Sequence, residues 1–450
     1  MNDLGTIQHE VVLSDEQSAA IQTILGAKSG VFFLTGKAGT GKSTVLRALT
    51  AKAQGIVLAP TGLAAVNVGG MTIHRFFGLP IGPLTRKKCH PMNDMDALIV
   101  SRADFIAIDE VSMVRADLMD AVDACLQLTL QNSEPFGGKK IVVIGDMWQL
   151  EPVVSEQERE WLNKNYQSPF WFDAHVFAGG NLFEGHRAEV IQCELTEIHR
   201  QRGDIEFISA LNAIRKGNTS GLFLFNQRAD IPPIGDPVSL TFTNPKADMI
   251  NQTRLTALQS DAKTYYADID GEFGNRDMPS AAELLLKVGA QVMCVRNLYD
   301  ISTGDIIANG SVGEVIELRE RGVLVAFRDG RTTIVEPAHW MKHRYTFDLS
   351  TNEIGTSVEG HFSQIPLKLA WAVTVHKSQG QTLDSAVLEL ERRAFAHGQL
   401  YVALSRVTNL NGLFLRRKLN AGDIVVSPRV RTYCLLTDSG QDDFGMEAFA

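Results

Sequence analysis

The chain has 450 residues, of which 44% are hydrophobic and 21% charged, and its formal net charge is −9 at pH 7. That length leaves room for about three domains, and the composition suits a globular protein with a large core. The charge excludes a surface coated in positive charge, no apolar run approaches a membrane span, and five cysteines without a CxxC argue against a disulfide framework or a structural zinc site.

The first residues, MNDLGTIQHEVVLSDEQ, are acidic and polar, unlike a secretory signal or an Arg-rich transit peptide, so a cytoplasmic protein is expected. Gln17 closes that stretch just ahead of a predicted helix. Its amide could read an adenine edge; taken alone, it reads as a surface polar residue.

GVFFLTG (30–36), GIVLAPTG (55–62), FIAIDE (105–110) and IVVIGD (141–146) are apolar runs with polar tips. Continuous rather than alternating apolarity predicts parallel strands covered on both faces, with ligands at their carboxyl ends. Residues 1 to about 190 therefore read as one doubly wound α/β domain. GKAGTGKST (36–44) follows the first of these strands and opens a predicted helix, matching G-x-x-x-x-G-K-[ST]. Gly36, Ala38, Gly39, Thr40 and Gly41 would wrap phosphates with backbone N–H groups, and Thr44 lies in the helical turn that adds its partial positive charge. Lys42 would pair the β/γ-phosphates and Ser43 would ligate Mg²⁺. Asp109 can hold Mg²⁺ directly or through water, and Glu110 can polarise an attacking water. Gln149, with Asp146 after another buried strand, could sense the γ-phosphate. The set reads as an NTP hydrolase.

Further along, PVSLTFTN (237–244), LKLAWAVTVHKSQG (367–380), AVLEL (386–390) and GLFLRR (412–417) predict strands of a second α/β sheet. Between them, residues 286 to about 345 carry short β-rich runs with Gly, Asn and Asp turns, the pattern of a small antiparallel barrel inserted in the second domain. Residues 438–450 form an acidic tail expected to be poorly ordered.

Taken in order, LSDEQ, GKAGTGKS, APTGLAAVNVGGMTIHRFFG, IDEVSMV, GDMWQLEPV, LTEIHRQ, FTNPKADMIN, AWAVTVHKSQGQTLD and LYVALSRV resemble the motifs of the Pif-type helicases. These belong to the 5′-to-3′ branch of superfamily 1 and are related to RecD. The resemblance runs from about residue 11 to about 435. TIH after PTG, and TVHKSQG before ALSR, are specific to the group.

The resemblance implies an α/β protein with two RecA-like P-loop domains, at 1–190 and at 191–285 with 346–437. A small wedge insertion at about 64–98 and an SH3-like β insert at 286–345 complete it. It implies an ATP- and Mg²⁺-dependent DNA helicase acting on single-stranded DNA and on single-strand/duplex junctions. Such a protein would be nucleoid-associated and monomeric in solution, with self-association on DNA left open. Arg200 and Arg406 would reach the γ-phosphate from across the cleft, making hydrolysis depend on closure. Thr374, His376, Lys377 and Ser378 would grip DNA from the second domain together with Asn244, opposite Thr61, Thr72 and His74 of the first. Gln379 and Gly380 would connect that grip to the nucleotide. Phe76, Phe77 and Trp371 either stack on bases or fill the core. TRKKCH (85–90) either holds a phosphate backbone or is a solvated charge run.

Departures from the family pattern are Glu151, where a proline is common, His199 before Arg200, and Arg75, where a serine is common. None removes a catalytic group. Two other readings stand beside the helicase: a non-unwinding DNA translocase or component of a nuclease complex, and a P-loop ATPase switch that does not act on nucleic acid.

Overall fold

The computed structural model describes residues 13–37, 39–178, 187–197, 204–271, 273–274, 278–299, 306–390 and 394–439. Helix α1 (Asp15–Gly26) starts at a capping box in which Ser14 and Gln17 satisfy each other's backbone N–H groups. Its buried residues Gln17, Ala20, Ile21 and Ile24 fall on one helical stripe.

Six strands form one parallel sheet: β1 (Gly30–Gly36), β2 (Gly55–Ala59), β3 (Met71–Thr72), β4 (Phe105–Ile108), β5 (Lys140–Gly145) and β6 (Val190–Leu195). Their order is β3-β2-β4-β5-β1-β6. Interior strand β1 is buried on both faces: Val31 and Phe33 pack into one core, Phe32 and Leu34 into another shared with α1 and α2 (Lys42–Lys52). This two-sided burial is why the run reads as continuous apolar sequence. Strand β6 was not expected. It extends the first unit past residue 190, pairing Val31 with Val190 and Gly36 with Leu195. As a half-exposed edge carrying Gln192 and Glu194, it lacks a continuous apolar run.

A second parallel sheet holds β7 (Val238–Thr241) between Ala372–Thr374 and Ala386–Leu388, with Leu413–Leu415 outermost. The apolar run 367–374, expected as one strand, is divided. Leu367–Leu369 pairs antiparallel with Gln291–Cys294, whereas Ala372–Thr374 pairs parallel with β7. Strand Leu367–Leu369 thereby closes one edge of a five-stranded sheet that continues through Val312–Leu318, Val323–Phe327 and Thr332–Val335. The antiparallel region is wider than 286–345, because Ala262–Tyr266 pairs with Glu283–Lys287 ahead of it.

A long hairpin, Ala338–Asp348 with Glu353–Gln364, leaves this region and docks on the first unit. Val57 N of β2 donates to Tyr345 Oη at 2.7 Å, and Ile354 N donates to Gln54 Oε1 at 3.0 Å. Segment 64–98 holds most of α3 (Gly62–Val68), β3, the short helix α4 (Ile73–Phe76), a 3₁₀ turn Arg86–Lys88 and most of α5 (Asp94–Arg102). Its Leu79, Leu84 and Cys89 are buried in the same core as the first sheet. Among the described residues, no helix is long and apolar enough to cross a membrane.

Candidate active site

Strand β1 delivers the chain into a loop that only glycine can begin. A Cβ on Gly36 would lie 2.5 Å from Leu195 O and 2.7 Å from Thr40 Oγ1. Gly41 then adopts a left-handed conformation at the N-terminus of α2, leaving the first helical N–H groups open to an anion. Lys42 lies within this loop, its Nζ donating to Gly36 O at 2.7 Å and Lys37 O at 3.0 Å. Burial lowers its pKa. Ser43 is exposed in the first helical turn, with Thr44 beside it. Ala38 lies outside the described residues. Gln17 is buried, its Nε2 donating to Thr40 O at 3.2 Å and its Oε1 accepting from Ser14 N at 3.1 Å. The amide braces the loop; it does not present a free edge to a base, contrary to the expectation.

Asp109 and Glu110 sit where β4 ends. Glu110 has φ 51°, a left-handed conformation uncommon for a non-glycine residue. Burial and the neighbouring Asp109 push its pKa up to about 7, against the pull of Lys42, Arg406 and a bond from Gln379. Burial also raises Asp109. Two adjacent carboxylates short of positive charge suit a hard cation and a proton acceptor.

The loop after β5 meets the second unit at several points. Burial alone would raise Asp146, but Arg215 and Lys42 outweigh it and hold the carboxyl below its ordinary range. Arg215 Nη2 reaches Asp146 Oδ1 at 2.8 Å, and Tyr401 Oη donates to Oδ2 at 3.2 Å. His397 Nδ1 accepts from Ser427 N at 2.9 Å, so its Nε2 carries the proton donated to Met147 O at 2.8 Å. A Cβ on Gly398 would lie 2.3 Å from Gln149 O, so the close approach of the two units needs glycine there. Gln379 Nε2 donates to Glu110 Oε2 at 2.9 Å and to Gln149 Oε1 at 3.1 Å. A cleft of about 550 Å³ opens beside these groups, lined in part by Thr35, Lys37, Trp148, Glu194, Arg215 and Lys216.

Arg406 is 1% exposed and directs its donors inward, to Ser378 O at 2.9 Å, Gln381 O at 3.3 Å and Val402 O at 2.9 Å. In this arrangement it ties the 378–381 turn to its own helix and bears on Glu110 only through its charge. Arg200 lies outside the described residues.

The expected grip residues divide into reachable and unreachable. Thr61, Asn244, Lys377 and Gly380 are exposed, and Thr72, His74 and His376 are half-buried. Burial lowers both histidines' pKa values, favouring neutral rings. Three expectations are corrected. Phe76 is buried, its ring 5.0 Å from Phe77 and 5.9 Å from Tyr345, so no face is left for a base. Ser378 is fully buried and donates to Val375 O at 2.9 Å. Thr374 is 3% exposed, and its hydroxyl caps the turn by accepting from Lys377 N. Trp371 and Phe77 are core residues as well.

Arg215 escaped the sequence reading, although a signal existed. The Ile205–Arg215 helix buries Phe207, Ala210, Leu211, Ile214 and Arg215, so the arginine lies on the apolar stripe.

Residues 12–222 match the family model described as PIF1-like helicase, and residues 275–318 the one described as DNA helicase Pif1, 2B domain. The chain is 34% identical to the ATP-dependent DNA helicase PIF1 of Mus musculus over 418 residues, 89% of this chain but 59% of that protein. The crystal structure of Bacteroides sp Pif1 in complex with ADP-AlF4 superposes with a TM-score of 0.85 at 33% identity, covering 96% of this chain and 98% of that one. This chain belongs to the PIF1-like helicase family. A second PIF1-like structure, Bacteroides Pif1 bound to ssDNA, gives a TM-score of 0.65 at 34% identity, covering 96% and 97%.

Proposed function

We propose that this PIF1-like chain is an ATP- and Mg²⁺-dependent DNA helicase that moves 5′ to 3′ on single-stranded DNA and opens duplex or structured DNA ahead of it. The observation that carries the reading is the Gln379 amide. It belongs to the turn expected to grip DNA, and it bonds Glu110 and Gln149 on the nucleotide side. A nucleotide switch without a second substrate gives that bridge nothing to report. Bacteroides Pif1 bound to ssDNA, and a structure of two coordinating Pif1 helicases unwinding forked dsDNA, support single strands and junctions as partners. In this reading the two parallel units are RecA-like domains, 64–98 is the wedge and the five-stranded sheet is the SH3-like insert.

The loop amides and Lys42 would hold the polyphosphate. Ser43 and Asp109 would hold Mg²⁺, since an exposed hydroxyl and a carboxylate raised by burial fit a hard oxygen-seeking cation. Bound there, the ion would neutralise phosphate charge. Glu110 takes the proton of the attacking water, and Gln149 orients that water through the side chain Gln379 already contacts. Arg406 meets developing charge once closure exchanges its carbonyl partners for the phosphoryl group. Thr61, Thr72, His74, Asn244 and Lys377 position the strand through phosphate and sugar contacts.

The test is steady-state ATP hydrolysis with and without saturating single-stranded DNA, followed by unwinding of 5′- and 3′-tailed duplexes. Strong stimulation and unwinding confined to 5′ tails are expected. Turnover indifferent to DNA overturns the motor reading, and stimulated turnover without unwinding leaves a translocase.

A further inference from the structure

The hairpin of Ala338–Asp348 and Glu353–Gln364 is pinned in register by aromatic packing on one face. Trp340 stands opposite Phe362, their ring centroids 5.6 Å apart, and both are buried in a small core with Phe273 and Val295. Strand alternation then turns His339 and His361 to the other face, where His339 is exposed and His361 half-buried. A slip of one residue would exchange the two faces, so the aromatic contact fixes where the histidines stand. They are diagonal neighbours, His339 opposite Ser363 and His361 opposite Met341. Their rings meet: Nδ1 of His339 lies 3.0 Å from Nε2 of His361, with ring centroids 5.0 Å apart.

In the neutral pair, one of the two facing nitrogens carries a hydrogen and the other accepts it. Moving that hydrogen to the outer nitrogen of its own ring leaves two facing lone pairs, with no proton lost to solvent. For a metal–nitrogen bond of about 2.0–2.1 Å, two ligand nitrogens stand ~2.9 Å apart at a right angle and ~3.3 Å apart at a tetrahedral one. The observed 3.0 Å falls between these, so small ring rotations suffice and neither strand has to move. Asp270, the register partner of His361 on Asp268–Gly271, adds negative charge to the same face while its Oδ1 accepts from Gly271 N at 2.9 Å. Among the described residues no three such side chains gather into one cluster, so water completes the shell. Imidazole suits Zn²⁺, Ni²⁺ and Cu²⁺, whereas Mg²⁺ takes oxygen ligands.

We propose that His339 and His361 form a seat for one late first-row divalent cation, which staples the two strands at the root of the hairpin. The seat shares no residue with the nucleotide site and holds whatever the chain does with DNA.

The experiment titrates Zn²⁺, and separately Ni²⁺, into protein stripped with EDTA and dialysed free of it, by isothermal titration calorimetry in millimolar Mg²⁺. Wild type, H339Q and H361Q are compared. Wild type is expected to take up one ion that Mg²⁺ does not displace. Each variant is expected to weaken that event at least about tenfold, because losing even an outer partner of a metal ligand costs that much. Zn²⁺ should raise the melting temperature of wild type and leave both variants unmoved. Melting without metal shows that the variants are folded, as substitutions on the outer face of the sheet should be. Affinity unchanged in both variants, a loss confined to one of them, displacement by Mg²⁺, or a wild type that binds neither ion overturns the seat.

Discussion

Gln379 Nε2 lies 2.9 Å from Glu110 Oε2 and 3.1 Å from Gln149 Oε1, so one amide of the second parallel unit spans two side chains of the first. Both hydrogens of the amide are used. The bond to Glu110 favours the ionised carboxylate, opposing the burial that raises it. Gln379→Ala removes that support and the contact to Gln149 together. DNA-stimulated kcat is expected to drop at least ~10-fold, with the affinity for single-stranded DNA within about twofold of wild type. Hydrolysis still fully stimulated by DNA would show that the bridge transmits nothing.

The Asp146–Arg215 pair is almost fully buried, and Asp146 accepts a further bond from Tyr401. A buried pair broken on one side leaves a stranded charge, a loss of about 3–5 kcal/mol. Arg215→Ala should therefore lower the melting temperature sharply, and Tyr401→Phe should cost about 1 kcal/mol. Replacing both partners by apolar residues, Arg215→Met with Asp146→Leu, should restore much of the stability. It should not restore hydrolysis, because the loop carrying Gln149 loses its one ionic anchor to the second unit among the described residues. A double variant with normal turnover would reduce the pair to packing.

What the sequence made legible follows from where the chemistry is local. Gly36 to Thr44 form one continuous loop and helix start, and β1, β2, β4 and β5 are buried on both faces, so each left a run with a polar tip. The contacts joining the two units are long-range, such as Arg215 to Asp146 across 69 residues, and no pattern of spacing reveals them. Thr374 and Ser378 were misjudged, and Phe76 was left open between base and core, for one reason: a motif names residues but not which way they face. The run 367–374 looked like one strand because its two halves, in different sheets, are equally apolar.

The docked hairpin sets a third prediction. Strand β3 pairs with β2 only at Leu58 and Ala59, and Tyr345 Oη accepts the Val57 N–H just beyond. Glu359 of the same hairpin pairs with Arg75 on α4, beside Thr72 and His74 of the expected grip. The whole chain superposes better on the ADP-AlF4 complex of the Bacteroides relative than on its ssDNA complex, with TM-scores of 0.85 and 0.65. Tyr345→Phe leaves Val57 N–H without its acceptor, weakening docking by about 1–3 kcal/mol. Faster amide exchange at Val57 and single-stranded DNA binding tighter by up to ~10-fold are expected, since less docking energy opposes rearrangement. Faster exchange with unchanged affinity would separate the hairpin from DNA binding.

Asp123 gives a prediction in pH. It is 8% exposed, accepts from Phe136 N at 2.6 Å and Gln127 Nε2 at 3.2 Å, and is pushed by burial up to about 6. A folded pKa above the unfolded one means that the folded state holds the proton more tightly. Stability from this group is therefore present at low pH and lost as pH rises through about 6, at a cost of about 3 kcal/mol above it. Asp123→Asn keeps an acceptor for Phe136 N–H and removes the charge. It should melt higher than wild type at pH 8, with most of the difference gone by pH 4.5. Asp123→Ala should melt lower at both pH values, because Phe136, at φ 55°, then loses the bond that holds its turn. Equal melting temperatures for Asn and wild type at pH 8 would mean that the carboxylate's charge costs the fold nothing.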